Sequence, residues 1–416
     1  MSTISLLLLT LAASALAAPC GSRGSGPRKN PIKRISLGPR PYWLVDQMDD
    51  GPLKTRLAAC SEKEMRRSGW SISHRGGGTL QFPEHTYDSI MAGTRMGAGI
   101  QECDVTFTRD HRLVCRHAQC DLHMTTNVVT IPELNAKCTV PFKPASGGSP
   151  ATAKCCTSDF TLAELKTLCA KMEAADPTAN TPAEFLGGTP GYRTDLYAKT
   201  CSRILTLGEF IDVVDKLDLG FTAELKTPEV SMPFPPGSNY TQATFAQQLV
   251  DEFKAARISP ERVWLQSFLY DDILYWLEAE PEFGKQAIFL DSTADTIPLP
   301  EAVAKLDKYA KDGVRIVAPP LPYLVTVEDG RIVPNEYART AQRLGLKIIT
   351  WSLERSGWLG DGSGGGYYYS SIASAINNEG DVYNLLHVLA QDVGVVGVFS
   401  DWSATVTYYA NCFGLF

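Results

Sequence analysis

The sequence predicts an α/β fold, a (β/α)8 TIM barrel with a Cys-rich insertion after its second strand. Three observations carry this reading. Short β-branched runs alternate with amphipathic stretches, the order that builds a parallel sheet. Such runs number about eight, which is what a closed barrel needs. The 416 residues exceed the roughly 250 of a minimal barrel and leave room for an insertion.

The elements follow in chain order. Met1 to Ala17 reads as a signal peptide: the apolar run ISLLLLTLAASALA ends in Ala15 and Ala17 around Leu16, a small-residue cleavage pattern. That run is too short to span a bilayer, which takes about 20 apolar residues. No later segment is apolar enough to span one either, so the reading is a secreted, extracellular protein with no stable membrane insertion. Residues 18–70 form an N-terminal arm whose basic cluster, Arg23, Arg28, Lys29, Lys33, Arg34 and Arg40, lies among Gly and Pro as a solvated extension. The barrel domain spans 71–416.

Its strands are predicted at 71–76, 99–108, 220–226, 263–268, 286–292, 314–320, 347–353 and 395–401. Helices fit between them, for instance TQATFAQQLVDEFKAAR, EAVAKLDKYAKDG and PNEYARTAQRLG, with apolar residues at three and four spacing. The stretch 118–205 is out of proportion to any barrel loop. It is rich in Cys, Gly, Ser and Pro and poor in periodic apolar residues, so it is predicted to need disulfides in place of a core of its own.

The eleven cysteines lack paired C-x-x-C spacing, which excludes a zinc site of that kind and favours disulfides formed in an oxidising compartment. An odd count leaves at least one thiol unpaired or bonded to another chain. The net charge of −7 gives no basic face of the kind a nucleic-acid partner requires. Asn239-Tyr240-Thr241 is a glycosylation sequon.

Charged residues collect at the C-terminal ends of the predicted strands, where a parallel barrel builds its site. His74 and Arg75 close the first strand, Glu102 and Asp104 lie on the second, and Glu224 and Lys226 close the third. Gln266, Trp351 and Asp401 end later ones, with Trp351 placed to line a substrate pocket. Alternation turns Glu102 and Asp104 to one face and Cys103 to the other. Glu102, Asp104 and Glu224 converging from neighbouring strands form a hard oxygen set suited to one divalent cation, Mg²⁺ or Ca²⁺. After a turn at RDHR the run LVCRH folds back on the second strand. Pairing Thr108 with Leu113 sets Asp104 opposite His117, which brings that histidine to the carboxylates. In this register Cys103 and Cys115 face opposite ways, so they are not expected to bond, and Cys103 is the candidate for the unpaired thiol. His111 and His123 fall on a surface turn and a loop.

The order His74-Arg75-Gly76, Pro83-Glu84-His85-Thr86, Glu102-Cys103-Asp104-Val105 with Thr108 and Asp110, His117, then Glu224-Leu225-Lys226 resembles the glycerophosphodiester phosphodiesterase family of TIM barrels. It departs from that pattern at His85, where the family has Asn, at Ala118, where it has Asp, and in the insertion, which compact members lack. The resemblance implies His74 and His117 as an acid/base pair, a metal held by Glu102, Asp104 and Glu224, and phosphate contacts from Arg75 and Lys226. It implies a small phosphodiester as substrate, split into glycerol phosphate and an alcohol. Two other readings stand beside it: a phospholipase D-like enzyme acting on intact or lyso phospholipids, and a catalytically idle barrel that binds at a surface. The complete polar set argues against the idle barrel, because buried charges are costly to keep without a use.

Overall fold

The alternation of β-branched runs and helices folds as predicted, in a computed structural model that describes residues 29–416. The signal-peptide reading over Met1–Ala17, the start of the arm with Arg23 and Arg28, and Cys20 lie outside the described residues. The barrel strands are β1 (Ser68–Ser73), β2 (Ala98–Phe107), β4 (Gly220–Leu225), β5 (Val263–Ser267), β6 (Ile288–Leu290), β7 (Ile316–Ala318), β8 (Lys347–Leu353) and β9 (Gly397–Ser400); a short return strand, β3 (Leu113–Cys115), follows β2. All except β3 run parallel, and β1 pairs with both β2 and β9, which closes the barrel.

The helices obey their local signals. Gln242–Ala255 starts at Thr241, whose side chain accepts from the Thr244 N–H, and buries Phe245, Ala246, Leu249, Val250 and Phe253 on one face. Leu207–Lys216 begins with a reciprocal cap between Thr206 and Glu209. Between strands and helices lies the main core, while Ile72, Ile288, Leu290, Ile316, Ile349 and Phe399 fill the barrel itself. The polar strand ends therefore stand on an apolar plug.

β2 outruns β1. The last β1 pairing is Ser73 with Gln101, and the overhang of β2 takes β3 antiparallel, with Val105 opposite Cys115 and Phe107 opposite Leu113. The expected register, Thr108 opposite Leu113, is thus off by one residue. The turn holds that extra residue: the Thr108 hydroxyl accepts from the Arg112 N–H (2.9 Å), and His111 takes a φ of 56°. A one-residue slip moves every side chain to the other face. Cys103 and Cys115 consequently share a face and form a disulfide, with Cα atoms 5.2 Å apart. Cys103 is not the unpaired thiol.

The described cysteines are all paired: besides that bond, Cys60–Cys412, Cys120–Cys156, Cys138–Cys155 and Cys169–Cys201. Three of these bonds lie within the insertion, as its composition predicts. The insertion also has what its composition did not suggest, a small core of its own around Leu122, Val128, Phe160, Leu165, Leu168 and Phe185. The arm is less of an extension than its charges imply. Arg40 starts a helix (Arg40–Gln47) and its guanidinium meets the buried Glu354, with Nε 3.1 Å from Oε1.

Candidate active site

The C-terminal rim of the barrel carries a cavity of about 270 Å³ whose walls include His74, Arg75, Glu102, Asp104, His117, Glu224, Lys226 and Trp351. All eight residues singled out in the sequence thus meet in one place. Strand pairing explains the carboxylates. Asp104 and Glu224 are direct register partners across β2 and β4, and Glu224 is in turn the partner of Gln266 on β5.

One ligand oxygen each from Glu102, Asp104 and Glu224 lies within 4.8 Å of the others. Their remaining contacts leave room for a cation. Glu102 accepts from the Arg75 backbone N–H (2.7 Å) and from Gln266 Nε2 (3.0 Å). Asp104 Oδ2 lies 2.8 Å from His85 Nε2, while its Oδ1 is buried without a partner. Such an orphaned acceptor inside a hard oxygen set is what a Mg²⁺ or Ca²⁺ ligand offers. Electrostatics agree. Burial pushes Glu224 up to about 8 against the pull of Lys226, and burial together with the Asp104 charge raises Glu102 well above the carboxylate range. Burial also opposes the charge of Asp104, but Lys226 and His85 outweigh it and hold that group well below its ordinary value. Three buried carboxylates without a cation cannot all stay charged at ordinary cost.

The first histidine does not end β1. The strand stops at Ser73, and His74 to Gly76 form a single tight turn with Arg75 at φ 52°. This turn aims His74 Nδ1 at Asp401 Oδ1, 2.5 Å away, and leaves Nε2 on the cavity side, 3.4 Å from the Ser352 hydroxyl. A carboxylate can only accept, so Nδ1 carries the proton and Nε2 is the acceptor nitrogen, facing the Ser352 hydroxyl and the cavity. Burial pushes His74 down to about 4, with Arg75 and Arg355 adding to the shift and Asp401 opposing it. The ring is therefore neutral at pH 7.

His117 reaches the cavity by another route than the hairpin register proposed. β3 ends at Cys115, and Arg116, whose N–H donates to the Asp104 carbonyl (2.8 Å), is the residue across from Asp104. The chain then leaves the ladder and swings His117 inward. Burial, then Arg75 and Lys226, hold it well below 6.5. Lys226 follows β4 directly, its Nζ 2.6 Å from Glu224 Oε1. Trp351 is anchored by its Nε1–H on the Ala318 carbonyl (2.9 Å) and presents its ring to the cavity.

Several members of the site were not singled out from the sequence, or only weakly. Arg355, just past β8, and Tyr368, in the Gly-rich segment after it, also line the cavity. Behind them lies a buried ion network. Glu84 meets Arg75 (2.8 Å), Arg355 (3.0 Å) and Arg193 (3.5 Å), and Asp401 meets Arg193 (2.8 Å) and Arg355 (2.9 Å). Glu173 joins on Arg75 at 3.3 Å. Burial opposes the charge of Asp401, yet Arg355, His74 and Arg193 hold it far below the carboxylate range. Glu84 and Asp401 had a local signal, a motif position and a strand end. Glu173 and Arg193 had none.

The glycerophosphoryl diester phosphodiesterase family matches residues 74–405. The chain is 50% identical over 250 residues to a protein of Arthroderma benhamiae named "Extracellular protein", an overlap of 59% of this chain and 100% of that one. Two crystal structures named for the same phosphodiesterase family are similar in fold. One, from Silicibacter pomeroyi, has a TM-score of 0.51 at 17% identity over 86% of this chain and 97% of its own. The other, from Agrobacterium tumefaciens, has a TM-score of 0.50 at 16% identity over 84% and 98%.

Proposed function

The chain belongs to the glycerophosphoryl diester phosphodiesterase family and is an enzyme of that class, and from that premise we propose that it is a secreted, metal-dependent hydrolase using two histidines as acid and base. The observation that carries the proposal is the convergence of three carboxylate oxygens within 4.8 Å beside two imidazoles, an arginine and a lysine in one cavity.

Glu102, Asp104 and Glu224 would hold one divalent cation, Mg²⁺ or Ca²⁺, which offsets charge on a non-bridging phosphate oxygen. Arg75 and Lys226 bind the phosphate, the first with a planar fork, the second as a point charge. Anion binding by a protein of net charge −7 is thereby local to the site. His74 Nε2, held toward the cavity by Asp401, accepts a proton as the attacking oxygen closes on phosphorus. His117 gives a proton to the departing alcohol. Entry of an anionic phosphate favours the protonated form of His117 that this role needs. Trp351 offers an apolar face to the organic part of the substrate.

Export is supported by the five described disulfides, by the leader read at Met1–Ala17 and by the name of the Arthroderma relative. Among the described residues no helix is long and apolar enough to cross a membrane. The test is to incubate the mature protein with a panel of glycerophosphodiesters and lysophospholipids, with Mg²⁺ or Ca²⁺, and to identify products by phosphorus NMR. Glycerol phosphate released from glycerophosphodiesters is the expected result. Cleavage of the lysolipids alone, or a cyclic phosphate as final product, would move the enzyme to the phospholipase D-like reading.

A further inference from the structure

Two side chains of the buried ion network are not part of the barrel. Glu173 and Arg193 come from the insertion, inside the loop closed by Cys169–Cys201. That loop is fixed to the barrel rim: the Thr194 N–H donates to the Leu80 carbonyl (3.0 Å), and the Tyr197 ring stacks on Phe82 with centroids 4.6 Å apart. Near Glu173, Lys171 Nζ ties three backbone carbonyls, those of Met124, Met172 and Ala174.

Arg193 has a definite task within the network. Its side chain is 2% exposed, and its Nη2 donates to Asp401 Oδ2 at 2.8 Å. Arg355 donates to the same oxygen at 2.9 Å, but the two arginines differ in access. Arg355 lines the cavity and Arg193 does not. An incoming phosphate therefore competes with Asp401 for Arg355, while the buried Arg193 stands outside the cavity wall. Charge balance does not require Arg193, since the insertion adds one cation and one anion together and leaves Arg75 and Arg355 facing Glu84 and Asp401. What it adds is a donor that stays on Asp401 while substrate is bound.

We propose that Arg193 is a positioning residue supplied to the barrel by the insertion: it clamps Asp401 and so fixes the ring orientation and tautomer of His74 during turnover. The role assigned to His74 rests on the phosphodiesterase mechanism above; the clamp itself does not. Hydrogen-bond partners that orient a metal-ligating histidine contribute about 10- to 100-fold, and the same scale is expected for a partner that orients a histidine through its carboxylate.

The experiment uses the full mature chain and two readouts. With glycerophosphocholine as substrate, Arg193→Ala is expected to lower kcat by about 10- to 100-fold with KM within about twofold. Arg193→Lys, which keeps the charge and loses the fork, should recover part of that loss. Independently of activity, the ring proton between His74 Nδ1 and Asp401 gives a far-downfield proton NMR signal, assigned by its absence in His74→Ala. It should shift or vanish in Arg193→Ala. A signal that stays in place in folded Arg193→Ala overturns the clamp, and a shifted signal with unchanged kcat overturns its part in catalysis. If Arg193→Ala does not fold, Arg193→Lys carries both readings. Failure of the wild type to cleave any phosphodiester would sink the functional reading, and the ring proton would still decide whether Arg193 sets His74.

Discussion

The barrel and the insertion hold the same buried cluster by opposite means. In the barrel, position comes from the hydrogen-bond ladder: Asp104 stands beside Glu224 because β2 and β4 are in that register, and Glu224 beside Gln266 for the same reason on β5. In the insertion, regular structure is short, four-residue helices such as Leu162–Leu165 and Pro182–Phe185 and a small hairpin of Val140–Lys143 with Thr152–Lys154. Three disulfides and a small core take over from the ladder. A ladder places a side chain to within the pleat, so it suits the carboxylates that would share one cation, while the groups assigned to the phosphate stand in the turns just past the strand ends. A stapled loop places one through chain closure, which suits a group that acts from behind.

If this division is right, damage to the two regions should differ in kind. The largest effects belong to the barrel. His74→Ala and His117→Ala should each lower turnover of a glycerophosphodiester by about 10²- to 10⁴-fold without loss of fold. With a p-nitrophenyl ester, whose phenolate leaves without a proton, His117→Ala should regain most of its rate and His74→Ala should not. Equal losses on both substrates would remove the distinction between acid and base. Next comes the metal. Exhaustive EDTA treatment should silence the enzyme reversibly, and Glu102→Gln or Glu224→Gln should weaken Mg²⁺ or Ca²⁺ binding measured by calorimetry. Full turnover in metal-free buffer would refute this.

The insertion should answer in stability first. Replacing Cys169 and Cys201 together by Ser removes a closed loop of sequence separation 32, which chain-entropy arguments value at about 3–4 kcal/mol. Hydrogen exchange should speed up between these residues while the barrel strands keep their protection. Uniform acceleration would mean that the two regions fold as one unit. The smallest effect is a pH dependence. Burial pushes His123, in the insertion, down from 6.5 to about 4. The unfolded chain therefore takes up that proton first as pH falls, so its contribution to stability is intact above 6.5 and is lost on the way down to about 4. His123→Gln should flatten the fall in thermal midpoint over that window relative to wild type. An identical slope in both proteins would place the pH sensitivity elsewhere.

The same division explains what could be read from the sequence. Strand alternation makes E-x-D and E-x-K legible as one-sided pairs, and closure of the barrel brings them together without further information. Arg75 and His74 are legible as a motif, although the tight turn that aims them is not, since it depends on a positive φ at a non-glycine residue. His117 was placed correctly by a register that is one residue wrong, because the turn from Thr108 to Arg112 holds a residue that composition does not reveal. That slip hid the Cys103–Cys115 bond. His85, one residue past Glu84, looked like a departure from the family pattern, and only the fold shows its ring on Asp104. Arg193 and Asp401 lie 208 residues apart, and nothing local marks the first as a partner of the second. The core of the insertion was missed for a related reason: its apolar residues come from short pieces too brief to show a period.

The bond between Cys60 and Cys412 ties the arm to the final helix (Ser403–Phe413), outside a barrel whose first and last strands are already hydrogen-bonded. Topologically the molecule from Cys60 to Cys412 is a ring. A single peptide-bond cut anywhere in that ring opens a loop without releasing a fragment, and the pieces stay at one another's side at an effective concentration set by the remaining covalent path. When a protease nicks an exposed rim loop, one covalent molecule then remains whose halves can stay folded together. On a denaturing gel such a chain would run as one band without reductant and as two with it.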